Sequence, residues 1–310
     1  MTDPVAVTVI GGYLGSGKTT LVNRMLRQAN GLRLAILVNE FGALPIDEDL
    51  IEATSDDLIS IAGGCICCSF GSDLTAALVD LSQRVPLPDH IIIESSGVAM
   101  PGAIGANIGL LDDFRLAGVV VLADAESVRT QAGDEYLGDT ILRQLHEADL
   151  IVQTKTDLVP PATASDVANW LATVAQDTAV IQSSHGRIPI DILLGQTAAK
   201  QQQMASGHAD AAFESHVFAV ASQTDAMQLA RELAQGGYGL IRAKGFVLDA
   251  DGRTILIQNV GQRFDATPFD RPMRPELVCI GLRGKLDTDR ITRLLASDIA
   301  TAGAPLQDAL

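Results

Sequence analysis

Short apolar runs alternate with longer amphipathic stretches from the start of the chain to about residue 195. The runs lie at residues 5–10, 34–38, 58–61, 90–93, 118–123, 150–153 and 179–181, and several are almost continuously apolar. Strands buried on both faces read this way, and such strands belong to a mainly parallel sheet covered by helices. Segments 18–29, 72–84, 136–148 and 165–175 fit crossover helices between them. The pattern predicts a doubly wound, mainly parallel α/β domain over residues 1–195. Residues 196–213 lapse into Gln, Ala, Ser and Gly and predict a linker. Over residues 214–310 a smaller α+β pattern follows, with strand-like runs at 216–220, 240–248, 254–260 and 277–280 and helical stretches at 225–235 and 288–296.

Composition narrows this picture. A length of 310 residues exceeds what one core usually holds, in keeping with two domains. Aromatic residues make up only 4%, so the core must be built from Ala, Val, Ile and Leu. Lys plus Arg is 22 against 38 for Asp plus Glu, a formal charge of −16. That balance argues against binding nucleic acid, which needs a basic face to displace counterions, and against docking on an anionic membrane. No apolar run approaches the roughly 20 residues of a membrane helix. Met1-Thr2-Asp3-Pro4 has no basic n-region, so no signal peptide is expected and the chain reads as cytoplasmic.

The polar and glycine-rich clusters occupy a telling position: five of them directly follow an apolar run. In a parallel sheet the C-terminal strand ends share one edge, and ligands bind along it. After the first run comes Gly11-Gly12-Tyr13-Leu14-Gly15-Ser16-Gly17-Lys18-Thr19-Thr20. Gly12-x4-Gly17-Lys18-Thr19 is a complete Walker A pattern in strand–loop–helix context. Glycines let successive backbone N–H groups face one anion, and the following helix adds its positive end. Gly12, Gly15, Ser16, Gly17, Lys18, Thr19 and Thr20 are the expected nucleotide contacts. Lys18 is expected to reach the β- and γ-phosphates as a catalytic residue, and Thr19 to ligate Mg²⁺.

Two further clusters point to the base and to hydrolysis. Thr154-Lys155-Thr156-Asp157 follows the sixth run. The Asp157 carboxylate can accept from guanine N1–H and N2–H₂, a pair of donors adenine lacks, and the Lys155 stem can cover the base plane. The usual guanine-binding pattern has Asn where Thr154 stands. The bland alternative is a capped strand end with solvated Lys and Asp. Ser183-Ser184-His185-Gly186, after the seventh run, is a weaker candidate for backing the base with a backbone amide. Glu94-Ser95-Ser96-Gly97 follows the fourth run. Glu94 can hold a Mg²⁺-bound water or orient the attacking water, and the Gly97 N–H can contact the γ-phosphate. Asn39-Glu40-Phe41-Gly42 and Asp47 stand where a first switch segment belongs. Asp47 is either a metal-side ligand or the start of a helix.

Cys65-Ile66-Cys67-Cys68 brings three thiols into four residues after two glycines. Three thiolates at this spacing can face one thiophilic ion, Zn²⁺ being the natural guest, with a position left for Glu40, water or a partner's ligand. A redox dithiol and three small buried residues are the alternatives. Cys279, alone in a Val-Cys-Ile run, reads as core.

In this order the phosphate loop, Asn-Glu-Phe-Gly, Gly-Gly-Cys-Ile-Cys-Cys, Glu-Ser-Ser-Gly and Thr-Lys-Thr-Asp resemble the CobW-like family of SIMIBI-class P-loop GTPases. Arg242-Ala243-Lys244-Gly245-Phe246 and Leu277-Val278-Cys279-Ile280-Gly281 resemble its C-terminal domain more loosely. The resemblance implies a GTPase handling a transition metal for a client metalloprotein, with nucleotide-linked homodimerisation. It also implies metal ligation by Cys65, Cys67 and Cys68 and nucleotide contacts from Lys18, Thr19 and Asp157. Many relatives carry a His-rich stretch before the second domain; here that stretch holds only His208, with His216 beyond it, which leaves the metal open. The expected cofactors are GTP or GDP, Mg²⁺ and Zn²⁺. Two rival readings are a small-molecule P-loop kinase, which would leave Asp157 without a task, and an interaction module with a structural zinc site.

Overall fold

The structure is a computed structural model that describes residues 4–29, 31–38, 58–60, 72–194, 212–220 and 223–296. Two units divide the chain, Met1–Leu194 and Gly195–Leu310.

The first unit runs β1 (Val5–Gly12), α1 (Lys18–Arg27), β2 (Leu34–Val38), β3 (Leu58–Ser60), α2 (Ser72–Ser82), β4 (His90–Glu94), α3 (Pro101–Ile108) and β5 (Phe114–Asp124). It continues through α4 (Val128–Ala132), α5 (Gly138–His146), β6 (Leu150–Thr154), α6 (Pro161–Val174), β7 (Ala179–Gln182) and α7 (Ile190–Leu194). The strands form one sheet in the order β3-β2-β4-β1-β5-β6-β7. All of its pairings are parallel. β1 is flanked by β4 and β5, so the loops leaving these three strands are neighbours.

Alternation along the strands explains the burial of both faces. Val7 and Val9 face a core with Leu78 of α2, Ile104 of α3, Ile141 and Leu145 of α5 and Leu171 of α6. Thr8 points the other way, where its hydroxyl donates to the Leu193 carbonyl of α7 at 3.3 Å. α1 buries Leu21, Val22 and Met25. Nearly continuous apolar strands are what a sheet covered on both sides requires, and the predicted architecture is the observed one.

Several elements depart from the sequence pattern, and three show why. β5 spans Phe114–Asp124, not 118–123, because its register against β1 slips from Val7↔Leu116 to Thr8↔Gly118. The resulting bulge breaks the period-2 signal. α6 begins at Pro161, four residues before the expected start, since proline fits the first helical turn as well as it breaks an interior. α3 carries Gly102 and Gly105, which read as breakers; a Cβ on Gly105 would lie 2.8 Å from Leu116 Cδ2, so the glycine permits close helix–sheet approach.

The second unit is antiparallel. β8 (Phe213–Ala219), α8 (Ala226–Gln235), β9 (Leu240–Leu248), β10 (Thr254–Val260), β11 (Arg263–Pro268), β12 (Glu276–Leu282) and α9 (Thr288–Ala296) follow in order. The sheet order is β11-β10-β9-β12-β8. Leu229, Leu233, Ile291 and Leu295 of the helices pack with Ala243, Val247, Ile257, Leu277 and Cys279. β11 was not anticipated, because an edge strand that alternates Phe264 and Ala266 with Arg263, Asp265 and Thr267 and ends in proline shows no apolar run. Cys279 belongs to this core, and burial pushes its thiol up to about 12. Among the described residues no helix is long and apolar enough to cross a membrane.

Candidate functional site

The site begins where β1 ends. Gly12 has φ 127° and Gly17, the N-cap of α1, φ 97°, both in the region that favours glycine. At Gly12 space is also absent: a Cβ would lie 2.5 Å from the Leu122 carbonyl oxygen. The loop between them curls so that Ser16 N donates to the Tyr13 carbonyl at 3.1 Å. Lys18 is 8% exposed, and its Nζ donates to the carbonyls of Gly12 at 3.0 Å and Tyr13 at 3.3 Å. The ammonium therefore lies against the loop that its own helix leaves. α1 has no acidic residue in its first turn and Arg24 and Arg27 in its last, so its positive end is uncompensated at the loop. Thr20, in the same first turn, is exposed.

Thr19 and Glu94 meet across the sheet. The Thr19 hydroxyl donates to Glu94 Oε1 at 2.9 Å. Glu94 is 2% exposed, sits at the end of β4 opposite Ile10 of β1 and Val38 of β2, and is followed by Ser95 N donating to the Ile10 carbonyl at 2.9 Å. A hydroxyl and a carboxylate oxygen side by side are hard donors of the kind Mg²⁺ takes. That ion keeps several waters and completes its shell from phosphate, so two protein oxygens fit it. Gly97 lies directly on the phosphate loop, since a Cβ there would come within 2.7 Å of Leu14 N, Cγ and Cδ2.

The segment Thr154-Lys155-Thr156-Asp157 is tied to this loop. The Thr154 hydroxyl donates to the Ser16 carbonyl at 2.8 Å. Thus Thr154, which departs from the usual Asn, still joins the end of β6 to the phosphate loop. Lys155 and Asp157 follow on a 3₁₀ turn, Thr156–Leu158. Lys155 Nζ is held by Asp124 Oδ2 at 2.6 Å. Asp157 Oδ2 lies 3.4 Å from His185 Nε2, and Arg24 of α1 donates to the His185 carbonyl at 3.1 Å. Three described non-glycine residues have positive φ, and two of them, Lys155 at 55° and His185 at 53°, flank Asp157. That conformation costs about 1–2 kcal/mol per residue, a strain that concentrates at functional sites.

Sequence reasoning missed two side chains. Asp124, at the end of β5, is 7% exposed; its Oδ1 accepts from Glu126 N at 2.9 Å while Oδ2 holds Lys155. Its position at a strand end of the shared edge was a usable signal. Gln144 of α5 is 1% exposed and donates through Nε2 to the carbonyls of Gly97 at 3.1 Å and Ala99 at 2.8 Å. Nothing local to the sequence marks it. Both residues line one small cavity with Tyr13 and Ser16 behind the phosphate loop.

The structure thus brings together Gly12, Gly15, Ser16, Gly17, Lys18, Thr19, Glu94, Gly97, Lys155 and Asp157 along the edge of one sheet. Glu40, Asp47, Cys65, Cys67 and Cys68 lie outside the described residues. The strands that precede them end on the same edge: Val38, the last residue of β2, pairs with Glu94 of β4 and with Ser60, the last of β3. Among the described residues no group of three or more His, Cys, Asp or Glu is placed to hold a metal ion.

Comparison with known proteins identifies the family. Residues 6–182 match the CobW/HypB/UreG nucleotide-binding domain, and residues 213–297 match the cobalamin synthesis protein cobW C-terminal domain. The zinc chaperone CobW of Sinorhizobium sp is 30% identical over 307 residues, covering 84% of this chain and 86% of that protein. The zinc chaperone YjiA of Escherichia coli (strain K12) is 28% identical over 308 residues, covering 91% and 95%. A solved structure of Zn(II)-bound YjiA GTPase from E. coli covers 95% of this chain and 99% of its own at 24% identity, with a TM-score of 0.46. The first unit carries the phosphate loop, the Thr19–Glu94 pair and the Thr154-Lys155-Thr156-Asp157 turn on one edge, and with the family match spanning more than half its length, the chain belongs to the CobW/HypB/UreG family of P-loop GTPases.

Proposed function

We propose that this chain binds GTP with Mg²⁺, hydrolyses it to GDP and phosphate, and uses that cycle to hold and hand over zinc to a client metalloprotein. The observation that carries the nucleotide half is the 2.9 Å hydrogen bond from Thr19 to Glu94 beside the Gly12–Lys18 loop. It gathers phosphate donors and hard metal ligands at one point. Backbone N–H groups of the loop and the Lys18 ammonium neutralise the β- and γ-phosphates. Thr19 and Glu94 would hold Mg²⁺, which would supply charge neutralisation at the phosphates, Thr19 as a direct ligand and Glu94 through a water or by orienting the attacking water. Asp157 selects guanine, because adenine would leave its carboxylate unmatched, and Lys155, fixed by Asp124, covers the base. With a chain at −16, long-range repulsion of the triphosphate is screened beyond roughly 8–10 Å, so affinity rests on these local donors and on Mg²⁺.

The zinc half rests on Cys65, Cys67 and Cys68 and on relatives named zinc chaperones. Three thiolates at this spacing can face one zinc ion and leave a coordination position for Glu40, water or the client, which suits transfer. Both the cysteine segment and Glu40 follow strands that end on the nucleotide edge, which supports coupling between the two ligands. A coupling free energy of roughly 1–3 kcal/mol corresponds to a 5–150-fold change in zinc affinity. The test is stopped-flow zinc competition with GDP and with a non-hydrolysable GTP analogue; equal zinc affinities would remove the coupling. A nucleotide-linked homodimer is part of the same proposal, to be checked by sedimentation with each nucleotide.

A further inference from the structure

The segment that follows Glu94 is held from three sides. Gly97 is pressed on Leu14 of the phosphate loop, and a Cβ on Gly11 would meet Pro101 Cγ at 2.8 Å. From the remaining side it is held by α5. Gln144 Nε2 donates to the carbonyls of Gly97 and Ala99, at 3.1 and 2.8 Å. Glu147, three residues on and at the C-cap of α5, accepts from Gly102 N through Oε2 at 2.9 Å, near the start of α3. Residues three apart share a helix face, so one face of α5 holds both ends of residues 97–102. A buried primary amide bridging two carbonyls has few alternatives: withdrawing it strands both acceptors.

We infer that Gln144 is a positioning residue that keeps Gly97 in register with the γ-phosphate, so that α5 sets how strongly GTP is preferred over GDP. The inference rests on the nucleotide reading above and deepens it. Gly97 is expected to meet the γ-phosphate only, because the β-phosphate is enclosed by the Gly12–Lys18 loop. Loosening the Gly97 carbonyl therefore weakens GTP binding and leaves GDP binding alone. A purely structural role for Gln144 lowers both together.

The experiment measures dissociation constants of GDP and of a non-hydrolysable GTP analogue for the full chain with Mg²⁺. It compares the natural chain with Gln144→Met, which keeps the length and removes the donors, and Gln144→Asn, which keeps the amide but shortens its reach. The expected result is a roughly tenfold loss of analogue affinity in Gln144→Met with GDP affinity within about twofold, the size of the hydrogen bond lost at the Gly97 carbonyl. Gln144→Asn is expected to move in the same direction. An unchanged ratio of the two affinities, or equal loss of both ligands in both variants, overturns the inference. Failure of the natural chain to bind GDP overturns the nucleotide reading itself, an outcome distinct from the other two.

Discussion

The phosphate loop and the segment at residues 97–102 lie against each other, yet they are built on opposite principles. The loop is made from consecutive residues: glycine conformations, backbone donors and the end of α1 create an anion cradle within seven positions, Gly12 to Lys18. The neighbouring segment has no such internal design. It is held by side chains 45 and 47 residues away in sequence, Glu147 on Gly102 and Gln144 on Gly97. Binding an anion needs local geometry; responding to its loss needs a part held by something else, which can be released.

Three experiments sharpen this contrast, from the largest expected effect down. Lys18→Ala removes the charge at the loop and is expected to lower GTP turnover by roughly 10²–10³, the range for loss of a transition-state donor. Phosphate release measures it, with circular dichroism showing an intact fold; near-normal turnover would break the assignment of the loop. Asp124→Asn acts at a distance, through Lys155. The pair is partly exposed, with Lys155 33% accessible, so a modest effect of about fivefold on KM for GTP is expected with kcat unchanged. Steady-state kinetics separate the two constants, and an equal fall in kcat would place Asp124 in the chemistry instead.

Smallest is the expected response of Cys279. Burial raises its pKa from 9.0 to about 12, so at pH 8 the thiol stays protonated and closed to alkylation. Because the folded value lies above the ordinary one, its contribution to stability is whole below pH 9 and is lost as pH rises towards 12. Mass spectrometry after alkylation at pH 8 is expected to find label on Cys65, Cys67 and Cys68 alone, and bound zinc is expected to protect those three. Rapid labelling of Cys279 in the folded chain would contradict its place in the core.

Legibility in the sequence followed the same division. The phosphate loop, the strand of Glu94 and the turn of Asp157 announce themselves because each is a contiguous string placed after an apolar run. α3 was obscured because Gly102 and Gly105 are spaced for packing against Glu147 and Leu116, whereas locally they look like breakers. β11 was hidden because its only core-facing apolar residues, Phe264 and Ala266, alternate with polar ones and leave no apolar run. Thr154 looked like a departure until its hydroxyl was found on the Ser16 carbonyl, 138 residues away in sequence.

What the amino-acid order determined alone was the parallel sheet, the edge where its strands end and the residue types delivered there, since burial on two faces and backbone curl are both written in short-range pattern. Tertiary structure decided which side chains steady those residues. Asp124 on Lys155 and Gln144 on Gly97 act through a charge and an amide whose partners are remote in the chain. A main-chain carbonyl carries no mark in the sequence, so only folding reveals which donor reaches it.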